Sequence, residues 1–180
     1  MRLLEVRRHS LVRDHVHLSQ AGVDLARRVG ARMGPFDRVV TSHVTRTLET
    51  AIAMGFAVDA QLVVLGEIGP EVWAEVGHHE RWRWDKPFAA FARLVRQGGA
   101  TASLGHAQVE AWRGIVRELP EGGRALVISH GRVIEAGAVT CFPDAHHAAW
   151  GAPFDKCEGL RLAYHGDSWA APELLRVAGP

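Results

Sequence analysis

Leu3–Ser10, LLEVRRHS, is an apolar run that ends in two arginines and a histidine before the chain turns polar. A strand of this kind carries a nucleophile and its anion-binding neighbour to the carboxyl end of a sheet, where open α/β folds place their sites. A solvated strand end would look the same in isolation. Two further stretches repeat the pattern: SHVTRTLETA (Ser42–Ala51), after the strand-like Asp37–Thr41, and ALVISHGRV (Ala125–Val133). In each, an apolar run ends in Ser-His and passes into a segment with helical spacing.

Outward from these stretches, Leu3–Val6 and Ala125–Ile128 read as buried strands and Asp37–Thr41 as a further strand. Ser19 is placed to cap a helix from Gln20 to about Met33, with Ala21, Leu25, Ala26, Val29 and Met33 on one face, and Gly34-Pro35 ends it. Ser42 caps or precedes a helix that runs to about Met54. Residues 56–65 carry a strand-like stretch leading to Glu67. From about 66 to 105 the pattern loosens around Trp73, Trp82 and Trp84, with a helix from Pro87 to Gln97, and reads as an insertion that could cover a site. The three tryptophans could form a substrate-facing wall or a small satellite core. A helix from about His106 to Glu118 and another from Arg132 to about Cys141 follow. Gly159–His165 and Trp169–Val177 read as a hairpin about a His-Gly-Asp-Ser turn. Strands alternating with helices make this an α/β chain whose sheet is mostly parallel, with one antiparallel part.

The 180 residues suit a single domain spanning 1–180; 47% are hydrophobic and 23% charged, which fits a globular chain. A formal net charge of +1 gives no overall field to draw the chain to nucleic acid or membrane, so anion binding would depend on a local cluster. Two cysteines, Cys141 and Cys157, are too few for a disulfide framework. Together with the lack of a signal-like or membrane-length apolar run, they point to a cytoplasmic protein. Eleven histidines raise the question of a metal, and His15, His17, His78, His79, His146 and His147 are the obvious ligands to consider. No cysteine or carboxylate stands beside them at a zinc spacing, so the expectation is no metal and no cofactor.

Four pieces in register resemble the histidine phosphatase superfamily, its phosphatase branch in particular. Arg8-His9-Ser10 resembles the Arg-His-Gly signature after the first strand, and Leu18–Gly22, LSQAG, resembles the segment opening the first helix. Ser42–Ala51 resembles the S-x-x-x-R-A-x-x-T-A block, with Thr47 where alanine is usual, and Ser129-His130-Gly131 resembles the second-histidine block. The resemblance implies a phosphoglycerate mutase-like fold, a three-layer α/β/α sandwich. It also implies a cofactor-independent, histidine acid-type phosphatase acting on a phosphorylated small molecule, with His9 as nucleophile. In the family a carboxylic acid after the second helix often protonates the leaving group. Glu67 stands at the matching place, and Glu71 is the second candidate.

The chemistry of the residues agrees with this. A phosphate monoester carries close to two negative charges near neutral pH, and guanidinium groups match its geometry. Arg8 and Arg46 supply two such groups, and His130 a third donor if its protonation suits. Ser10 and Gly131 are further candidate phosphate-binding residues, and helix N-termini near Ser42 and Gly131 can add main-chain N–H groups. A neutral His9 can attack phosphorus in line and form a phosphohistidine. Arg13, His15 and His17 either reach the phosphate or are solvated loop residues. His43 lines the pocket or faces solvent, and Arg132 points to the distal part of a substrate or covers a helix end.

A loop over 11–17 shorter than that of the mutases, without the asparagine those enzymes use there, counts against a mutase, and Ser10 in place of glycine keeps a binding domain without turnover open. The readings left open are a small-molecule phosphatase, a phosphohistidine protein phosphatase acting on a phosphoprotein, phosphoglycerate mutase-type transfer, a phospho-ligand binding domain without turnover, and a metal hydrolase. The two C-terminal strands could pair across a homodimer.

Overall fold

The computed structural model describes residues 1–77 and 86–177. His78, His79, Trp82 and Trp84 lie outside the described residues. The described residues form a seven-stranded sheet built on β1 (Arg2–Arg8), β2 (Arg38–Ser42), β3 (Ala60–Leu62), β4 (Arg124–Ser129), β5 (Gly159–His165), β6 (Ser168–Trp169) and β7 (Glu173–Leu175). The order is β3-β2-β4-β1-β5-β6, with β7 also pairing β5. The four strands from β3 to β1 run parallel, and β5 lies antiparallel to β1.

Helices cover both faces. α1 (Gln20–Gly30) and α2 (Thr45–Ala53) pack on one side, over Val39, Leu126 and Ile128. The other side carries α3 (Pro70–Val76), α4 (Pro87–Gln97), α5 (Ala100–Arg117) and α6 (Val133–Cys141), over Leu4, Val6, Val40, Ala125 and Val127. Trp112, Phe88, Phe91 and Phe154 are fully buried in this larger core, each contributing about 1.5–3 kcal/mol or more by leaving water. α4 and the front of α5, which the sequence places in the looser 66–105 stretch, are part of this core. α5 and α6 close tightly at glycines: a Cβ on Gly137 would come within 2.5 Å of the Trp112 ring.

Several elements differ from the sequence reading, for physical reasons. α1 ends at Gly30, and its inward stripe is Gly22, Ala26 and Gly30, while Ala21 is exposed. Backbone packs directly on backbone there: a Cβ on Gly22 would meet the Leu11 carbonyl at 2.0 Å, and one on Gly30 the Met54 carbonyl at 2.1 Å. Ser42 belongs to β2, and α2 starts after Val44 with no side-chain cap. α5 begins at Ala100, where Glu75 accepts the Ala100 and Thr101 N–H groups at 2.7 and 2.8 Å. The second arm of the C-terminal hairpin is split into β6 and β7 at Ala170–Pro172, where Pro172 has no N–H to give the ladder. No helix among the described residues is long and apolar enough to cross a membrane.

Candidate active site

β1 and β4 lie side by side and parallel, with Arg8 opposite Ser129. The residues that leave the two strands, His9 and His130, therefore emerge together, and the His9 N–H still bonds the Ser129 carbonyl at 3.0 Å. Their ring centroids are 5.3 Å apart. β2 flanks β4 on its other side and brings in Ser42, and α2 then carries Arg46 back over the strand ends. A cavity of about 240 Å³ opens here, lined by Arg8, His9, Val12, His15, Arg46, Glu67, Trp73, His130, Gly131, Arg132 and Lys156.

His9 is buried, and its Nδ1 lies 2.7 Å from its neighbour's carbonyl oxygen, that of Ser10. A carbonyl only accepts, so Nδ1 carries the proton and Nε2 keeps its lone pair. Arg46 Nε donates to that Nε2 at 3.2 Å. Burial first, then the charge of Lys156, pushes the His9 pKa down to about 2. The ring is thus neutral and nucleophilic across the physiological range.

Arg46 is the hub. Besides His9 it reaches the His15 carbonyl at 2.6 Å, Nδ1 of His130 at 3.2 Å and the Glu67 carboxylate. His130 is held down to about 3 by burial and then by Arg46. Since Arg46 can only donate to Nδ1, the His130 proton sits on Nε2 and is given to Ser42 Oγ at 2.8 Å. Ser42 continues to Thr47 Oγ1 at 2.8 Å, and Thr47 ends the chain on the Val44 carbonyl at 2.7 Å. Both hydroxyls can reverse direction; His130 would then carry its proton on Nδ1, an arrangement that requires Arg46 to release that nitrogen.

Arg8 donates to the Phe154 carbonyl at 2.8 Å, and its buried Nε has no hydrogen-bond partner among the described residues. Gly131 gives it room, since a Cβ there would stand 3.0 Å from that Nε. Glu135, fully buried with its pKa raised by that burial, takes the Arg132 and Phe154 N–H groups and so fixes both walls. Glu67 follows a one-turn helix tied down by Ser129 Oγ on the Leu65 carbonyl at 2.8 Å and Gln108 on the Val64 carbonyl at 2.6 Å. Its side chain is 61% exposed and faces the cavity.

The site thus brings together Arg8, His9, Arg46, Glu67, His130 and Gly131. Ser10 is not among its lining: it is fully buried, and its hydroxyl is donated to the Gly22 carbonyl at 2.7 Å, so it braces the turn. Glu71 is exposed on the first turn of α3 and does not line the cavity. Arg13 pairs with Asp14, His17 turns to Glu49 at 2.7 Å, and His43 is exposed against Gly66. His15 and Arg132 do line the cavity, as does Trp73, whose ring lies 4.4 Å from the Arg132 guanidinium. Lys156 and the bracing Gln108 are absent from the sequence reading, because neither belongs to a motif. His147 is buried against Trp150, and among the described residues no three His, Cys, Asp or Glu side chains converge as metal ligands.

The described residues form an α/β/α sandwich with histidines at the ends of two adjacent parallel strands and arginines around them. The chain belongs to the histidine phosphatase superfamily (branch 1), whose model matches residues 7–175. Among solved structures it is similar to a phosphoserine phosphatase from Entamoeba histolytica in complex with 3-phosphoglyceric acid. That match has 16% identity, covers 98% of each chain and gives a TM-score of 0.74. A mycobacterial glucosyl-3-phosphoglycerate phosphatase is similar at 19% identity, over 99% of this chain and 100% of that one, with a TM-score of 0.71. A phosphoglycerate mutase from Bacillus anthracis matches at 16% identity, over 93% and 90%, with a TM-score of 0.70. No curated protein sequence matches the chain.

Proposed function

We propose that the protein is a phosphatase that hydrolyses a phosphate monoester of a small molecule through a phosphohistidine on His9. The observation that carries this is the His9 tautomer. The Ser10 carbonyl fixes the proton on Nδ1 and leaves the lone pair on Nε2, which accepts from Arg46 Nε until a phosphoryl group in the cavity draws that guanidinium away. The Nε2 lone pair attacks phosphorus, the P–O bond to the leaving group breaks, and the departing oxygen takes a proton from the Glu67 carboxyl. In the second half, water attacks phosphorus, Glu67 takes its proton, and the P–N bond breaks to return neutral His9. Arg8 and Arg46 neutralise the equatorial oxygens, where phosphoryl transfer gains most of its stabilisation. A phosphoryl oxygen entering beside Arg46 competes with Glu67 for the same guanidinium; the freed carboxylate takes up a proton from solvent, and that proton is the one given to the leaving oxygen. Reversal of the Ser42–Thr47 hydroxyl chain makes His130 Nδ1 a donor to the same oxygens.

The test is hydrolysis of p-nitrophenyl phosphate with excess chelator, by the wild type and His9→Ala side by side. Chelator-resistant turnover that the variant loses supports the reading. Equal turnover in both overturns it.

A further inference from the structure

Lys156 reaches the cavity from a loop that wraps the end of β1. Around Arg8 alone this loop makes three bonds: the Phe154 carbonyl accepts from the guanidinium at 2.8 Å, the Cys157 N–H donates to the Arg8 carbonyl at 3.1 Å, and the Glu158 carbonyl accepts the Arg8 N–H at 2.8 Å. Arg7 adds a bond to the Cys157 carbonyl at 2.7 Å. The turn tolerates a left-handed Cys157, φ 60°, a conformation that a non-glycine residue keeps only where surrounding bonds impose it. At its centre the half-buried Lys156 lines the cavity with Arg8, His9, Arg46 and His130. After burial itself, its charge is the largest influence keeping His9 neutral, ahead of His130 and Arg46.

Burying an ammonium beside two guanidiniums is unfavourable unless an anion joins them. We propose that Lys156 is a catalytic residue whose ammonium contacts the transferring phosphoryl group beside Arg8 and Arg46, and whose deprotonation sets the alkaline limit of phosphate binding. The proposal rests on the phosphatase reading of the same site. Burial, then the charge of Arg8, pulls Lys156 down to about 8, with Asp155 opposing. The groups that face it are Arg8 from β1, His9 after it, Arg46 from α2, His130 after β4, and Asp155 and Cys157 of its own loop, with Glu67, His15 and Arg132 completing the lining. His9 and His130 are neutral well below this range, the guanidiniums stay charged, and burial raises the Cys157 thiol. A bound dianion favours the protonated ammonium, so affinity falls as pH rises through the Lys156 transition.

The experiment is calorimetric titration with inorganic phosphate near pH 7.5 and near pH 9.5, on the wild type, Lys156→Arg and Lys156→Gln. The wild type is expected to bind about tenfold more weakly at the higher pH, the size of one lost charged hydrogen bond. Lys156→Arg keeps its affinity at both, because its cation does not titrate. Lys156→Gln is weak at both, and recovery by the arginine variant separates contact with phosphate from support of the loop. Equal affinity of wild type and Lys156→Gln at both pH values overturns the role of Lys156 and leaves the phosphatase reading standing. A wild type that binds no phosphate at either pH overturns both.

Discussion

His9 is neutral because it is buried among cations, and at the residue scale this has consequences on both sides of pH 7. The unfolded chain protonates its histidines near 6.5, whereas the folded protein holds His9 near 2 and His130 near 3. Below 6.5 the unfolded state binds more protons, so stability falls with falling pH, by roughly 1.4 kcal/mol per pH unit for each imidazole. Urea unfolding between about pH 7 and 4.5 should therefore show a shallower acid decline in His9→Asn than in the wild type; parallel curves would contradict the burial argument. Ser42→Ala removes the partner of His130 Nε2 inside a buried network, and should lower kcat/KM about tenfold and destabilise by about 1–3 kcal/mol. Glu67→Gln should slow alkyl phosphates far more than nitrophenyl phosphate, whose leaving group needs no proton; equal losses would remove Glu67 as the acid. These roles differed in how legible they were. His9, Arg46 and His130 stand out in sequence because each sits just past the end of a short apolar strand. Ser10 was misleading, because a small polar residue beside a nucleophile reads the same whether its hydroxyl turns to the ligand or, as here, to the Gly22 carbonyl.

At the scale of elements, the polar loop after β1 is positioned by helix packing. Glu49 on α2 accepts the Leu18 N–H at 2.7 Å and pairs with His17, while Gly22 lets α1 close onto the Leu11 carbonyl. The same loop presents the His15 carbonyl to Arg46. Gly22→Ala should therefore do two things, since its Cβ has no space against backbone. It should destabilise the fold by about 1–3 kcal/mol despite the better helix former, and it should raise KM for a phosphate ester by displacing Arg46. Thermal melts and steady-state kinetics check both, and a neutral alanine would contradict the packing argument. The sequence placed α1 but drew its inner face through Ala21, because hydrophobic periodicity scores methyl groups and cannot see a stripe whose purpose is to let backbones touch. α4 illustrates the converse: its bounds, Pro87–Gln97, follow from the helical spacing of Phe88, Phe91 and Ala92, all of which are buried, because there the packing is by side chains that periodicity does register.

Across the whole molecule, the site is a product of strand order. Parallel neighbours β1 and β4 align their ends, β2 adds Ser42, and the crossover helices return Arg46. That much could be read from repeated strand-to-helix junctions, since each is local. Lys156 could not, because it lies far along the chain in the loop that leads into the antiparallel β5, and only the pairing of β5 with β1 brings it to His9. The cation burial it represents predicts a trade-off. A lysine held near 8 in the fold and near 10.5 in the unfolded chain destabilises the protein fully below pH 8, and this is relieved as pH rises towards 10.5. Lys156→Met should accordingly melt higher than the wild type at neutral pH while binding phosphate more weakly; a lower melting temperature would contradict the trade-off. The central claim, that His9 accepts the phosphoryl group, is tested most directly by mixing the enzyme with an aryl phosphate, quenching in base, which preserves phosphohistidine, and mapping the adduct by mass spectrometry. The account predicts one phosphoryl group on His9, absent from His9→Ala; turnover with an unmodified His9 during the steady state, undiminished in His9→Ala, would contradict it.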